Sequence, residues 1–138
     1  MKKFILLALF LFAGTALFAQ NKVKTQYMLI VRFKTDFKPA SDDVVKANIK
    51  KWQDYMGNLI QSGSLVAGYR PANEGLTMSG GKKDLKPIPY VANDELVSSV
   101  LIVNAVDMDA AKAIADKCPV FEFGGSVEVR SVMNIAGQ

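Results

Sequence analysis

The chain has 138 residues, half of them hydrophobic, and a formal net charge of +4 at neutral pH. It contains one cysteine and no histidine. This length suits a single domain, and one cysteine excludes an internal disulfide. The lack of histidine excludes any mechanism in which an imidazole acts as a base or binds a metal.

The N-terminus has the pattern of a secretory signal peptide. Lys2 and Lys3 precede an apolar run over residues 4–12, and small residues follow. We expect cleavage after Ala19, with cleavage after Ala16 as the alternative, and a secreted or periplasmic protein without stable membrane association afterwards. A single membrane anchor is the competing interpretation, but a span needs about 20 apolar residues and this run is shorter.

The mature chain, residues 20–138, is expected to form one domain. Loss of the two N-terminal lysines lowers the net charge from +4 to +2, because no acidic residue is removed with them. Lys82, Lys83 and Lys86 form a loose basic cluster without interleaved aromatic residues. This pattern is typical of a solvated loop, and we expect no nucleic-acid partner.

The first predicted elements are a strand and a long helix. Residues 26–34 form a strand that is largely apolar on both faces. Ser41 supplies an N-cap, acidic residues follow it, and Gly63 marks the end of the helix. Apolar residues repeat at spacings of 4, 3, 4 and 3, which predicts one stripe packed in the core. The stripe consists of Val45, Ile49, Trp52, Met56 and Leu59.

The middle of the chain predicts short strands and a shaped loop. Residues 65–70 suit a strand that ends at Pro71, and residues 75–78 suit another before a glycine-rich turn. Residues 84–95 contain two prolines, which predicts a loop rather than a central strand.

The last third predicts a strand, a helix and a strand. Residues 97–106 are an almost continuous apolar run, and Asp107 is placed to cap the helix that follows. Pro119 ends this helix, and residues 126–132 alternate between apolar and charged side chains. Cys118, at the helix end, is either buried and inert or available for an intermolecular disulfide, and we expect it to be buried.

The resulting order is β-α-β-β-α-β, which predicts an α+β, ferredoxin-like fold with one antiparallel sheet and two helices on one face. The strands at 26–34 and 97–106 are apolar on both faces, whereas the helices cover only one. A symmetric homodimer whose sheets face each other would cover the second face. We therefore expect a homodimer with a cavity between the sheets.

Several segments in this order resemble one family. The most specific is Val127-Glu128-Val129-Arg130 following Gly125. Others are Tyr27-Met28-Leu29, Trp52, Tyr55-Met56, Leu59, Gly63, Leu65, Gly68, Ala110-Ala111 through Ala115, and Cys118-Pro119. Over residues 26–132 the chain resembles the YCII-related family, also called DGPF-domain proteins. The resemblance implies a dimeric α+β barrel.

The chain departs from that family at its named motif. The family's Asp-Gly-Pro-Phe aligns with Pro87-Ile88-Pro89-Tyr90, so only the proline and an aromatic residue are kept. Some members resemble enzymes in which a histidine and an aspartate work as an acid/base pair. This chain has neither the histidine nor the motif aspartate, so that chemistry is not carried over, and whether any reaction is catalysed stays open.

Two functional hypotheses follow. In the first, a cavity at the dimer interface binds a small molecule, which is an anion if Arg32 and Arg130 hold it, with Tyr90 and Glu95 at the mouth. The alternative role of each arginine is an ion pair, for instance with Glu95, Glu122 or Glu128. In the second hypothesis the protein is a non-catalytic structural or protein-interaction module with a filled cavity. We expect no cofactor and no metal site.

Overall fold

The computed structural model describes residues 24–133; the predicted signal peptide and its cleavage site lie outside this range. The strands are β1 (Thr25–Lys34), β2 (Leu65–Tyr69), β3 (Thr77–Ser79), β4 (Asp84–Lys86), β5 (Val91–Ala92), β6 (Glu95–Ala105) and β7 (Ser126–Ser131). The helices are α1 (Asp42–Gln61) and α2 (Met108–Ala115), followed by a 3₁₀ helix at Pro119–Phe123. Within residues 24–133 no helix is both long and apolar enough to cross a bilayer.

The main sheet is antiparallel, with the strand order β2-β6-β1-β7, and β5 pairs with the start of β6. Two helices and an antiparallel sheet confirm the predicted α+β class and are consistent with a ferredoxin-like fold. The long central strands β1 and β6 correspond to the two segments that the sequence marks as apolar on both faces.

The helix boundaries confirm the predicted caps. The Ser41 side chain accepts a hydrogen bond from the Val44 backbone N–H at 3.3 Å. The Asp107 carboxylate accepts a hydrogen bond from the Ala110 backbone N–H at 2.8 Å. Gly63, beyond the end of α1, has φ +64°, a left-handed conformation that glycine adopts without strain.

The core lies between one face of the sheet and the helices. Leu29, Val31 and Val103 are fully buried on adjacent strands. Each such side chain contributes about 1.5–3 kcal/mol relative to full exposure. Their partners come from both helices and the segment after α2: Tyr55, Leu59, Ala111, Ala115, Cys118 and Val120. Burial of Cys118, at 3 % exposure, confirms the prediction for this residue.

The opposite face of the same strands stays partly exposed, and we call it the open face. Met28 lies beside Ile102 and Ile30 beside Val100 in the β1–β6 pairing, and all four are only half-buried. Their sequence neighbours on the other face are buried, so the alternation of a pleated strand accounts for the difference.

The connection between β2 and β6 differs from the prediction. The strand expected at 75–78 lies at Thr77–Ser79, and it pairs with β4 in a separate two-stranded sheet rather than joining the main one. The segment expected to be a loop, residues 84–95, contains both β4 and β5. A two-residue turn with positive φ at Asn93 and Asp94 lets β5 fold back on β6. The prolines lie upstream of this turn and do not prevent the pairing.

A polar contact fixes the 3₁₀ helix against α1. The Nδ2 of Asn48, a residue only 3 % exposed, donates to the Pro119 carbonyl and to Glu122 Oε2, both at 3.1 Å. Lys51 donates to the other oxygen of Glu122. The hydrogen bond from Lys51, followed by that from Asn48, lowers the pKa of the Glu122 carboxyl.

Gly125 is expected to tolerate no side chain. A Cβ there would lie 2.2 Å from the Arg32 carbonyl oxygen and 2.5 Å from Val120 Cγ2, so β7 would have to move away from β1. We predict that Gly125→Ala lowers the free energy of unfolding by about 2 kcal/mol or more in urea denaturation. Gly57→Ala is the matched control: nothing lies within 4 Å of that Cβ, and the helix should gain about 1 kcal/mol. Equal effects of the two substitutions would contradict the prediction.

The Glu122 contact predicts a pH-dependent stability. Because the folded-state pKa of Glu122 is lowered, its contribution is complete above the ordinary pKa of about 4.3 and is lost as the pH falls through the folded value. The stability difference between wild type and Glu122→Gln should therefore shrink when urea unfolding is repeated at about pH 3 instead of about pH 7. Glu74→Gln, on an exposed loop, serves as the control. A difference that stays constant with pH would contradict this account.

Candidate functional site

A cavity of about 610 Å³ lies between α1 and the sheet. This volume falls within the range of about 300–1,000 Å³ that is typical of small-molecule sites. The lining residues come from α1, the strands β1, β2 and β6, and the end of the 3₁₀ helix. They are Phe33, Val45, Asn48, Ile49, Trp52, Gln53, Met56, Gly68, Tyr69, Arg70, Ser98, Ser99, Leu101 and Phe123.

The apolar stripe of α1 packs on the core through Trp52, Met56 and Leu59, as predicted, and it also forms one wall of this cavity. Of its five residues only Leu59 is buried, and the other four line the cavity. The lining also contains the small residues Gly68, Ser98 and Ser99. Beside Gly68 the space is filled, because a Cβ there would lie 3.2 Å from Leu101 Cδ2 and 3.6 Å from Met56 Cε.

Aromatic contacts hold two walls of the cavity in place. Trp52 and Tyr55 meet edge to face with ring centroids 5.8 Å apart, and the Tyr55 hydroxyl donates to the Ile114 carbonyl at 3.2 Å. Phe37, from the loop before α1, stacks on Phe123 at 4.6 Å. Such pairs contribute about 0.5–1.5 kcal/mol beyond their burial, so these walls have defined positions.

Asn48 provides a buried polar atom at the cavity. Its Nδ2 is fixed by two acceptors, the Pro119 carbonyl and the Glu122 carboxylate, which also fixes the orientation of its amide. No described residue donates to its Oδ1. Asn48 lines the cavity although the residue as a whole is only 3 % exposed. Its Oδ1 is therefore a candidate acceptor for a hydrogen bond from a bound molecule.

The predicted anion-binding arginines lie elsewhere, on the open face, and both contact one glutamate. Arg32 donates to Glu128 at 2.7 Å, and Arg130 Nε lies 3.7 Å from the other oxygen of Glu128. The structure thus shows the ion pairs that were the alternative interpretation of these residues. An arginine held by a carboxylate has fewer donors left for a ligand.

Glu95 and Tyr90 lie at the end of the sheet where Arg32 is found. The Ser126 hydroxyl donates to Glu95 at 2.9 Å, and Ser126 is the β7 residue opposite Arg32. Tyr90 comes directly before β5 and is 72 % exposed. None of the four predicted site residues lines the cavity beside α1, so the structure contains two separate surfaces of functional interest.

Cys118 is not set up as a nucleophile. Burial raises the pKa of its thiol to about 11, so it stays protonated near neutral pH. Burial likewise raises the pKa of the Tyr55 hydroxyl. Within residues 24–133 no group of three or more cysteine, aspartate or glutamate side chains is arranged to hold a metal ion.

Comparison with known proteins identifies a family. No curated protein matches the sequence. Among solved structures, the chain is similar to the 5-chloro-2-hydroxyhydroquinone dehydrochlorinase of Burkholderia phenoliruptrix AC1100, in a complex with 2,5-dihydroxybenzoquinone. The two chains are 18 % identical, with 78 % of this chain and 93 % of that chain covered and a TM-score of 0.40, which assigns neither substrate nor reaction here. The model of the YCII-related domain matches residues 25–136, so the chain belongs to the YCII-related domain family.

Proposed function

We propose that this protein binds a small, largely apolar molecule in the cavity between α1 and the sheet. The observation that carries the proposal is a cavity of about 610 Å³ with aromatic walls and few polar groups. Burial of apolar ligand surface supplies affinity, and a small number of fixed polar atoms, such as Asn48 Oδ1, supplies orientation. Trp52, Phe33 and Phe123 offer flat surfaces that suit a ring.

The composition of the lining favours binding over acid/base catalysis. Among residues 24–133 the lining contains no aspartate, glutamate, histidine, lysine or cysteine side chain that could act as a general acid or base. The alternative function, a structural or protein-interaction module, draws its support from the open face, where Glu128 engages both arginines.

The open face supports a homodimer as part of the same proposal. Ile30 and Val100 lie at its centre and remain half-buried, and such apolar surface is usually covered by a partner. The separate β3–β4 hairpin also exposes Met78 and Leu85, both more than 60 % exposed and paired on one side of a two-stranded sheet. Two main sheets packed face to face would bury the apolar strand surfaces, with Glu128 beside Ile30 on the edge strand β7.

Export is the remaining part of the proposal. The N-terminal pattern supports a cleaved signal peptide, and the protein would then act outside the cytoplasm as a secreted or periplasmic binder.

The cavity predicts binding of a small aromatic compound beside the chain's single tryptophan. We expect 4-bromophenol to quench Trp52 fluorescence with a Kd on the order of 1 mM, because bromine quenches at contact and small ligands bind weakly. Ser99→Phe should weaken this binding about tenfold or more, since the added ring occupies the cavity. Ser131→Phe, at an exposed strand end, is the control. Absence of quenching, or equal quenching in all three proteins, would contradict binding in this cavity.

The homodimer predicts a mass of two chains in light scattering at about 10 µM. Ile30→Lys should shift the mass to one chain, because it places a charge at the centre of the buried contact. Ile60→Lys changes a helix residue that is 63 % exposed and should leave the dimer intact. Circular dichroism checks that each variant is folded. A wild-type mass of one chain, or a dimer that survives Ile30→Lys, would rule out this interface.

A further inference from the structure

The chain has three arginines, and one differs from the other two in its surroundings. Arg32 and Arg130 share Glu128, as described above. Arg70 lines the cavity, and within residues 24–133 no carboxylate lies within ion-pair distance of it. It is also the only side chain of the lining that carries a formal charge at neutral pH.

The local sequence fixes where Arg70 stands. It follows the last residue of β2 and precedes Pro71, which restricts the residue before it to an extended backbone. Tyr69, next to it, pairs with Val100 of β6, so the end of β2 is anchored to the sheet. Arg70 lines the cavity and is itself exposed, so the residue lies at the cavity edge, in contact with solvent.

We propose that the ligand is a flat, apolar carboxylic acid whose ring lies against Trp52 and whose carboxylate is bound by Arg70. The inference rests on the proposed binding function and adds the chemical class of the ligand. The planar guanidinium matches a carboxylate in a two-point hydrogen bond, and this bond is stronger than one between neutral groups.

The rest of the lining supports a single planar anion over other charged ligands. A cation would meet Arg70 without a compensating carboxylate, and like charges at close range oppose binding. A phosphate carries more charge and more acceptor oxygens than one arginine can satisfy, and the remaining walls are mainly apolar. A ring with one carboxylate places its apolar part along α1 and its charge at the edge, where water still reaches it.

The test compares two probes of nearly equal shape, 4-bromobenzoate and 4-bromobenzamide, by quenching of Trp52 in the full mature chain. In the wild type the acid should bind about tenfold more tightly than the amide, as expected for a charge-assisted pair. Arg70→Gln should reduce this ratio to about one, because it removes the charged partner of the acid. Arg70→Lys keeps the positive charge but cannot form the two-point hydrogen bond of a guanidinium. It should therefore give an intermediate ratio.

Lys86→Gln is the control for general electrostatics, because it removes one positive charge from the exposed hairpin. The ratio should stay at its wild-type value in this variant. If both probes quench Trp52 equally and Arg70→Gln changes nothing, the acid specificity is wrong while the cavity proposal stands. If Lys86→Gln lowers the ratio as much as Arg70→Gln, the preference comes from net charge and the assignment to Arg70 is overturned. If neither probe quenches, the binding function fails and the inference fails with it.

Discussion

The pairing of β1 with β6 is the constraint on which the rest of the structure depends. These are the longest strands, they occupy the centre of the sheet, and Leu29, Val31 and Val103 are completely buried on one of their faces. A shift of the pairing by one residue would turn these side chains to the open face and expose the core. Both surfaces of functional interest, the cavity and the open face, are opposite sides of this one strand pair.

The cavity is a cleft at the side of that framework and not a void in the core. Ile49 on α1 and Tyr69 on β2 both line it and are 52 % and 66 % exposed, so water reaches its walls. A bound molecule would remove part of this apolar surface from water. Because the cleft exists only in the folded chain, folding and ligand binding would then be thermodynamically linked.

Much of the fold can be predicted from the sequence because the local signals, such as helix caps and apolar strands, agree with the final structure. Ser41 and Asp107 cap helices where expected, and the apolar strands pair as the central elements. The β3–β4 hairpin could not be placed, because short strands in a segment with two prolines depend on backbone turns that composition does not specify. The helical stripe shows the same limit: its period predicts an apolar face, but it does not predict that Trp52 and Met56 on this face both pack on the core and line a cavity.

The candidate site was harder to predict than the fold. Arginines on apolar strands suggested an anion site, yet Glu128, only two residues from Arg130 in sequence, satisfies both Arg32 and Arg130. Arg70 was not singled out, since nothing next to it in sequence shows that the strand end opens onto a cavity. The register of strand pairing decides which charged residues of β1 and β7 lie close together. The sequence alone does not specify this register.

The buried thiol has a consequence under oxidising conditions. Burial raises the pKa of Cys118 to about 11, so little of it is thiolate near neutral pH, and thiolate is the form that exchanges with disulfides. Its side chain is also almost inaccessible, at 3 % exposure. The folded chain therefore resists mixed disulfides with small thiols or with other proteins. A disulfide between two copies would require Cys118 to become exposed first.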